Sequence, residues 1–246
     1  MLPELEIVLV NTRFPENIGM AARACANFGC KNICLVKPEK KDLLNAIPLA
    51  TPKGLNILKN IRFSASLSEA VSCSNIVYGT TARTGGWRKA IQCPDEAAEK
   101  MVTYTDQKIS LVFGSEDRGL INSDIMICDY LVHIPTTSEA TSLNLAQAVL
   151  IMLYEYSKAA KKQNIFNKMG INKESPDKLI TNKDKERLLE AFKIMLLEID
   201  GLHGDNPDYF MLQWKEMFAK AQLKRNEYDA LMGLCRQVHN KLKRDA

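Results

Sequence analysis

The first 160 residues alternate between short apolar runs that read as buried strands and longer stretches with helical spacing. That alternation restricts the chain to an α/β fold built on a mostly parallel sheet with helices over both faces. The strand-like runs are Glu6–Val10, Asn32–Val36, Ile61–Phe63, Asn75–Gly79, Ile109–Phe113 and Tyr130–Ile134. Helical spacing is read over Asn17–Phe28, Leu67–Val71, Pro94–Val102 and Asn122–Cys128. Leu143–Ala160 closes the region, with Leu145, Val149, Met152, Leu153 and Tyr156 on one buried stripe. A Lys- and Asn-rich stretch containing Gly170 and Pro176, residues 161–182, reads as a linker. Beyond it, Lys183–Ile199, Asp208–Ala221 and Asn226–Leu242 read as three amphipathic helices, a small all-α extension over 183–246. Trp214 and Phe218 stand four apart on one helix face, a spacing that suits core packing better than a base-stacking platform.

Three of the strand-like runs lead into short polar segments. The first is Asn17-Ile18-Gly19-Met20-Ala21-Ala22-Arg23. The second is Gly114-Ser115-Glu116-Asp117-Arg118-Gly119, reached through Leu111-Val112-Phe113. The third runs from Ile134-Pro135 to Thr141-Ser142-Leu143-Asn144-Leu145-Ala146. Loops at the carboxyl ends of strands are where open α/β sheets bind ligands. Each segment also has a plain structural reading. Asn17 can start a helix with Gly19 easing the turn, Gly114 can end a strand, and Ser142 or Asn144 can cap the helix that follows. Together they look like one assembled site.

The usual phosphate cradles are missing. The turn from Asn11 to Gly19 holds one glycine where a dinucleotide fold needs Gly-x-Gly-x-x-Gly, and no P-loop motif occurs anywhere. A sheet with ligand loops but neither cradle needs another cofactor.

Composition narrows the classes further. At 46% hydrophobic and 25% charged residues the chain is of soluble globular type. No run approaches the ~18 apolar residues of a membrane span, and Met1-Leu2-Pro3-Glu4 lacks the order of a signal peptide. A cytoplasmic location and no membrane partner are expected. The seven cysteines are odd in number and form no Cys-x-x-Cys pair, so reduced thiols are expected, with neither a disulfide framework nor a zinc site. His133, His203 and His239 lie far apart in the chain, so metal-free chemistry is expected. Charge is uneven: residues 1–157 hold 15 Lys+Arg against 16 Asp+Glu, and residues 158–246 hold 18 against 13. The resulting excess in the tail suits a phosphate-rich partner, though solvated helix faces produce similar excesses.

The order and spacing of the three polar segments resemble the signature motifs of the SpoU-type (SPOUT superfamily) RNA 2′-O-methyltransferases, over roughly residues 4–160. The resemblance implies an α/β SPOUT domain over 1–160 with a deep trefoil knot in its C-terminal part, a feature that pattern reading could not supply because knots are so rare. It implies a bent S-adenosylmethionine held by Thr80-Thr81-Ala82, Gly114, Ile134 and Thr141-Ser142-Leu143. Glycine at 114 would let backbone approach that ligand, while Ile134 and Leu143 would give apolar walls. Arg23 is implied as the catalytic arginine. Since a guanidinium stays protonated, its reading here is a bidentate phosphate clamp and partner for the developing alkoxide. Asn17 and Glu116 would orient Arg23 and the ribose, and Ser142 and Asn144 would position the substrate hydroxyl and its phosphate. Arg83, Trp87, Arg88 and Lys89 form a glycine-containing loop suited to stacking on a single-stranded base with cations at the phosphates, or else a loop with a core-seeking Trp.

Within the family, Ile7-Val8-Leu9-Val10, Tyr78-Gly79-Thr80-Thr81-Ala82-Arg83, Ser142-Leu143-Asn144-Leu145-Ala146 and the helical tail resemble the bacterial tRNA enzymes that methylate cytidine or uridine at position 32 of the anticodon loop. The family also implies a homodimer whose active site is completed across the interface. The rival readings are a SpoU-type enzyme with another tRNA or ribosomal RNA target, and a knotted RNA-binding module without catalysis.

Overall fold

Ile7-Val8-Leu9-Val10 offers no polar side chain to solvent, and it forms the inner part of β1 (Glu4–Val10), a strand buried on both faces. β2 (Asn32–Val36), β3 (Arg62–Ser64), β4 (Ile76–Thr80), β5 (Ile91–Gln92), β6 (Lys108–Phe113) and β7 (Tyr130–Val132) complete the sheet. Its order is β3-β2-β1-β6-β4-β7-β5, with every pairing parallel. The computed structural model describes residues 3–82, 91–137, 139, 142–168, 178–199, 201–202 and 206–245. Along the chain it divides into two compact units, Met1–Pro176 and Asp177–Ala246.

In the first unit the pleat sorts side chains strictly by parity. Val8, Val10, Cys34, Val36, Val112 and Leu131 form one core layer with the residues of α3 (Leu67–Val71) and α5 (Asn122–Ile127). The alternate residues Ile7, Leu9, Leu35 and Leu111 take the opposite face. A second layer joins α1 (Pro15–Phe28) to α2 (Ile47–Lys59) and α6 (Leu145–Lys168), with α4 (Pro94–Met101) against α6. Tyr156 of α6 donates its hydroxyl to the Pro3 carbonyl at 3.2 Å, anchoring that helix to the start of β1.

Glu6 is the polar exception on β1. It is 3% exposed, and both its oxygens face cations: Arg62 Nη2 at 3.0 Å and Lys108 Nζ at 3.3 Å. A carboxylate this deep is tolerable only when so paired.

The structure differs from the sequence pattern in three places. α2 and the 3₁₀ turn before it (Leu44–Ala46) leave no clear pattern, because Pro52 and Gly54 inside the helix argue against it, although Pro48 in its first turn does not. The helix survives by kinking: Thr51, just before Pro52, adopts φ 61° and ψ 164°. β5 is two residues long, too short to leave a pattern. α6 runs past Ala160 to Lys168, so the stretch 161–182 begins as helix.

In the second unit, α7 (Asn182–Glu198), α8 (Pro207–Ala221) and α9 (Arg225–Asp245) share a core containing Leu188, Phe192, Phe218, Tyr228 and Cys235. The Phe192 ring lies 4.6 Å from Trp214 and 5.5 Å from Phe218, centroid to centroid, so Trp214 is a packing residue. Thr181 caps α7, accepting from Asp184 N–H at 3.3 Å while Asp184 Oδ2 accepts in return. Cys25, Cys30, Cys34, Cys128 and Cys235 are buried free thiols, and Cys73 and Cys93 are exposed ones. Among the described residues no helix is long and apolar enough to cross a membrane.

Candidate active site

The parallel sheet sends the loops after β1, β4, β6 and β7 out of the same end, and these loops meet. The loop after β6 shapes the floor. Gly119, at φ +64°, turns the chain back so that its N–H donates to Ser115 O at 2.8 Å. The returning strand crosses Gly114 so closely that a Cβ there would overlap the backbone of Gly119 and Leu120. Gly114 is therefore needed for the loop to close on itself, a different reason from clearance for a ligand. Gly19 shows the same device. It lies inside α1, not in a turn, and a Cβ on it would overlap the Ala46 carbonyl oxygen, so it lets the 3₁₀ turn rest on the helix.

Above that floor three polar side chains form a chain of hydrogen bonds. Asn17 Nδ2 donates to Glu116 Oε1 at 2.6 Å, and Asn144 Nδ2 donates to Asn17 Oδ1 at 2.9 Å. The direction follows from chemistry: a carboxylate only accepts, so the Asn17 amide nitrogen must face Glu116 and its oxygen must face Asn144. Asn144 Oδ1 is engaged in turn at the start of α6, accepting from Ala146 N–H at 2.9 Å and Gln147 N–H at 3.4 Å. The second Glu116 oxygen accepts from Arg13 N–H at 3.0 Å. Glu116 and Asn144 are both bonded to Asn17, so the three segments are mechanically one object. Asn17 is 5% exposed, which makes its bonds expensive to lose.

A cleft opens beside this chain. Thr80, Thr81, Ala82, Gly114, Ile134, Ser142 and Leu143 all border it, together with Glu116. These were selected from separate parts of the sequence, and the fold gathers them. Phe113, Leu120, Val132 and Leu145 add apolar wall, and Ser115 and Thr136 add hydroxyls. The shape and chemistry suit a molecule with a flat aromatic part and a polar rim. Thr81 is already engaged through its backbone: its N–H donates to Val132 O at 2.9 Å, and its carbonyl meets His133 Nδ1 at 3.1 Å. At the mouth, Ser115 Oγ donates to Asp117 Oδ1 at 2.8 Å and holds that carboxyl below the usual range, assisted by Arg13 and Arg118.

Arg23 is placed elsewhere. It projects exposed from α1, has no ion pair among the described residues, and is not among the residues bordering the cleft. Thr141 and the loop residues Arg83, Trp87, Arg88 and Lys89 lie outside the described residues. Arg13 was missed by sequence reasoning, although it sits within the first polar segment's approach. Its contribution is a backbone N–H, which no residue type announces. The side chain pairs with Glu39 at 3.2 Å and Asp117 at 3.6 Å, bridging two neighbouring loops.

Comparison with known proteins places these features in a family. Residues 4–154 match the SpoU rRNA Methylase family. The chain is 33% identical to an uncharacterized tRNA/rRNA methyltransferase of Haemophilus influenzae, over 98% of this chain and 97% of that protein. It is 31% identical to the tRNA (cytidine/uridine/adenosine-2′-O-)-methyltransferase TrmJ of Pseudomonas aeruginosa, over 95% of this chain and 93% of that one. Among solved structures, TrmJ from Z. mobilis superposes with a TM-score of 0.80 at 26% identity, covering 97% of this chain and 100% of that one.

Proposed function

This chain belongs to the SpoU rRNA methylase family of RNA 2′-O-methyltransferases, and from that membership we propose that it methylates the ribose of cytidine or uridine 32 in the tRNA anticodon loop, using S-adenosylmethionine. The observation that carries the reading is the joining of Glu116, Asn17 and Asn144 into one bonded chain along a cleft bordered by Thr80–Ala82, Gly114, Ile134 and Leu143. The cleft has the apolar walls an adenine needs and the polar rim a ribose needs. The deep trefoil knot is part of the same proposal.

When bound, S-adenosylmethionine would supply a methyl group activated on a sulfonium for transfer to the ribose 2′-oxygen, with the neutral thioether as leaving group and the hydroxyl proton released to water. The protein's task is then alignment. Ser142, exposed at the cleft edge, is the hydroxyl available to the substrate, and Asn144 and Asn17 hold its loop in place. Arg23 acts as a phosphate clamp and as a cation for the developing alkoxide. Because Arg23 lies away from the cleft of its own chain, it serves the cleft of a second copy, and the enzyme is a homodimer. Leu150 and Tyr154, one turn apart on α6, and Leu143 just before that helix, 43%, 53% and 36% exposed, supply the apolar face such a dimer needs. No metal takes part. The tail from residue 158, with 18 Lys+Arg against 13 Asp+Glu, takes part in holding the RNA.

The test is methylation of unmodified total RNA by the purified protein, with 2′-O-methyl groups mapped at nucleotide resolution, and light scattering on the same sample. Methylation at position 32 of tRNA, undiminished by EDTA, and a dimer of the 27.7 kDa chain are expected. Methyl groups on ribosomal RNA or at another tRNA position would overturn the target. A monomer with full activity would overturn the shared site.

A further inference from the structure

Thr80 to Ala82 form one border of the cleft, yet the parallel ladder that holds them stops early. Register pairing between β4 and β7 ends at Thr80 with Val132. One more backbone bond follows, Thr81 N–H to Val132 O at 2.9 Å. At that point a side chain takes over. His133, the residue after β7, turns its imidazole so that Nδ1 lies 3.1 Å from Thr81 O, while its own N–H donates to Gln92 O at 3.0 Å in β5. His133 is half-buried and does not border the cleft, whereas its neighbour Ile134 does. The imidazole acts on the cleft wall from behind.

We propose that His133 is a positioning residue for the methyl-donor site, fixing the Thr81 carbonyl so that residues 80–82 keep the conformation that forms the cleft wall. The inference rests on the reading of this cleft as the S-adenosylmethionine site. A carbonyl oxygen only accepts, so Nδ1 must carry a hydrogen; the neutral ring is then the Nδ1–H tautomer with Nε2 free to accept. Loops that are not held pay for their ordering when the ligand arrives, and a wall held beforehand binds more tightly. Isolation in the sequence speaks only against a metal role for His133, and its positioning role depends on a carbonyl 52 positions away in the chain.

Calorimetry with S-adenosylmethionine on the full-length protein and three variants tests this. His133→Ala removes the donor and weakens binding by about tenfold, the size of one net hydrogen bond plus some lost order. His133→Asn places an amide nitrogen where Nδ1 stood and restores binding to within about twofold, whereas His133→Gln, whose amide reaches toward the Nε2 position, does not. At saturating cofactor all three keep kcat within about twofold of the parent, since uniform binding alone is changed. Nitrogen-15 NMR on the parent, assigned by the signal that His133→Asn removes from the set of three histidines, shows hydrogen on Nδ1 in the neutral ring. If His133→Ala does not fold, the Asn and Gln pair decides alone. Unchanged binding in His133→Ala, equal rescue by Gln and Asn, or a neutral ring protonated on Nε2 overturns the inference. Parent protein that does not bind S-adenosylmethionine overturns the cofactor reading, and this inference with it.

Discussion

The loops at the carboxyl end of the sheet and the helical unit after Asp177 are built on opposite principles. In the loops, position is set by single atoms: the missing Cβ of Gly114, one amide on Asn17, one carbonyl on Thr81. In the helical unit, position is set by a shared apolar core around Phe192 and Phe218, with Ile194, Leu197, Tyr209, Phe210, Met217 and Leu234 left exposed around it. The difference teaches where each region tolerates change. A close-packed backbone crossing has no soft neighbour to move, whereas amphipathic helices can repack with modest loss. Chemistry needing fixed geometry is lodged in the first kind, and surface recognition can be carried by the second.

The sharpest way to break that contrast is Gly114→Ala. The added methyl must displace the Gly119–Leu120 backbone, at about 3 kcal/mol, which if taken from the bound state is roughly a hundredfold in cofactor affinity. Calorimetry with a melting curve as control reads it, and binding within a few-fold of the parent would mean that the crossing is looser than described.

Asn17 comes next. Asn17→Ala leaves Glu116 without its side-chain donor and Asn144 without its acceptor. About 2 kcal/mol in the transition state corresponds to roughly a thirtyfold loss of rate, measured by methyl transfer to tRNA. Asn17→Asp puts a second carboxyl against Glu116, so the pair holds a proton to a higher pH than either would alone. A group with a folded-state pKa raised above its unfolded value stabilises the fold below the unfolded value and loses that contribution as pH rises through the folded one. The Asp variant should therefore melt at a higher temperature at pH 5 than at pH 8, and a flat profile would break the argument.

Removing the helical unit after Pro176 tests the other side of the comparison. Cofactor binding should persist, while tRNA affinity falls by about tenfold with a shallower salt dependence, because fewer phosphates are neutralised. Equal tRNA affinity at matched salt would leave the helices with no part in recognition. The smallest effect is chemical. Burial pushes the Cys34 thiol up to about 11, so at pH 8 it stays protonated, and mild alkylation of the native protein should mark Cys73 and Cys93 alone.

Much of this molecule was legible one residue at a time. Strands buried on both faces read as apolar runs, so Ile7–Val10 and Leu111–Phe113 announced themselves, and helices such as Leu67–Val71 carried a plain period. The site's residues were legible through family resemblance, because Asn17, Glu116, Ser142 and Asn144 recur in a recognisable order. What stayed hidden involved backbone or long sequence separation. α2 forms despite Pro52 because packing against α1 offsets its kink, a tertiary effect that local propensity opposes.

The amino-acid sequence by itself determined the alternation of strands and helices, the family and the set of polar groups offered to the site, since periodicity and residue type are local properties. Tertiary structure alone decided how those groups are used. It turned Asn17 and Asn144 toward each other across 127 positions, gave Gly114 a neighbour in its own chain, set His133 behind Thr81 and left Arg23 outside the cleft. Such relations depend on which strand ends lie side by side in the sheet, and adjacency in space is not written in the order of the residues.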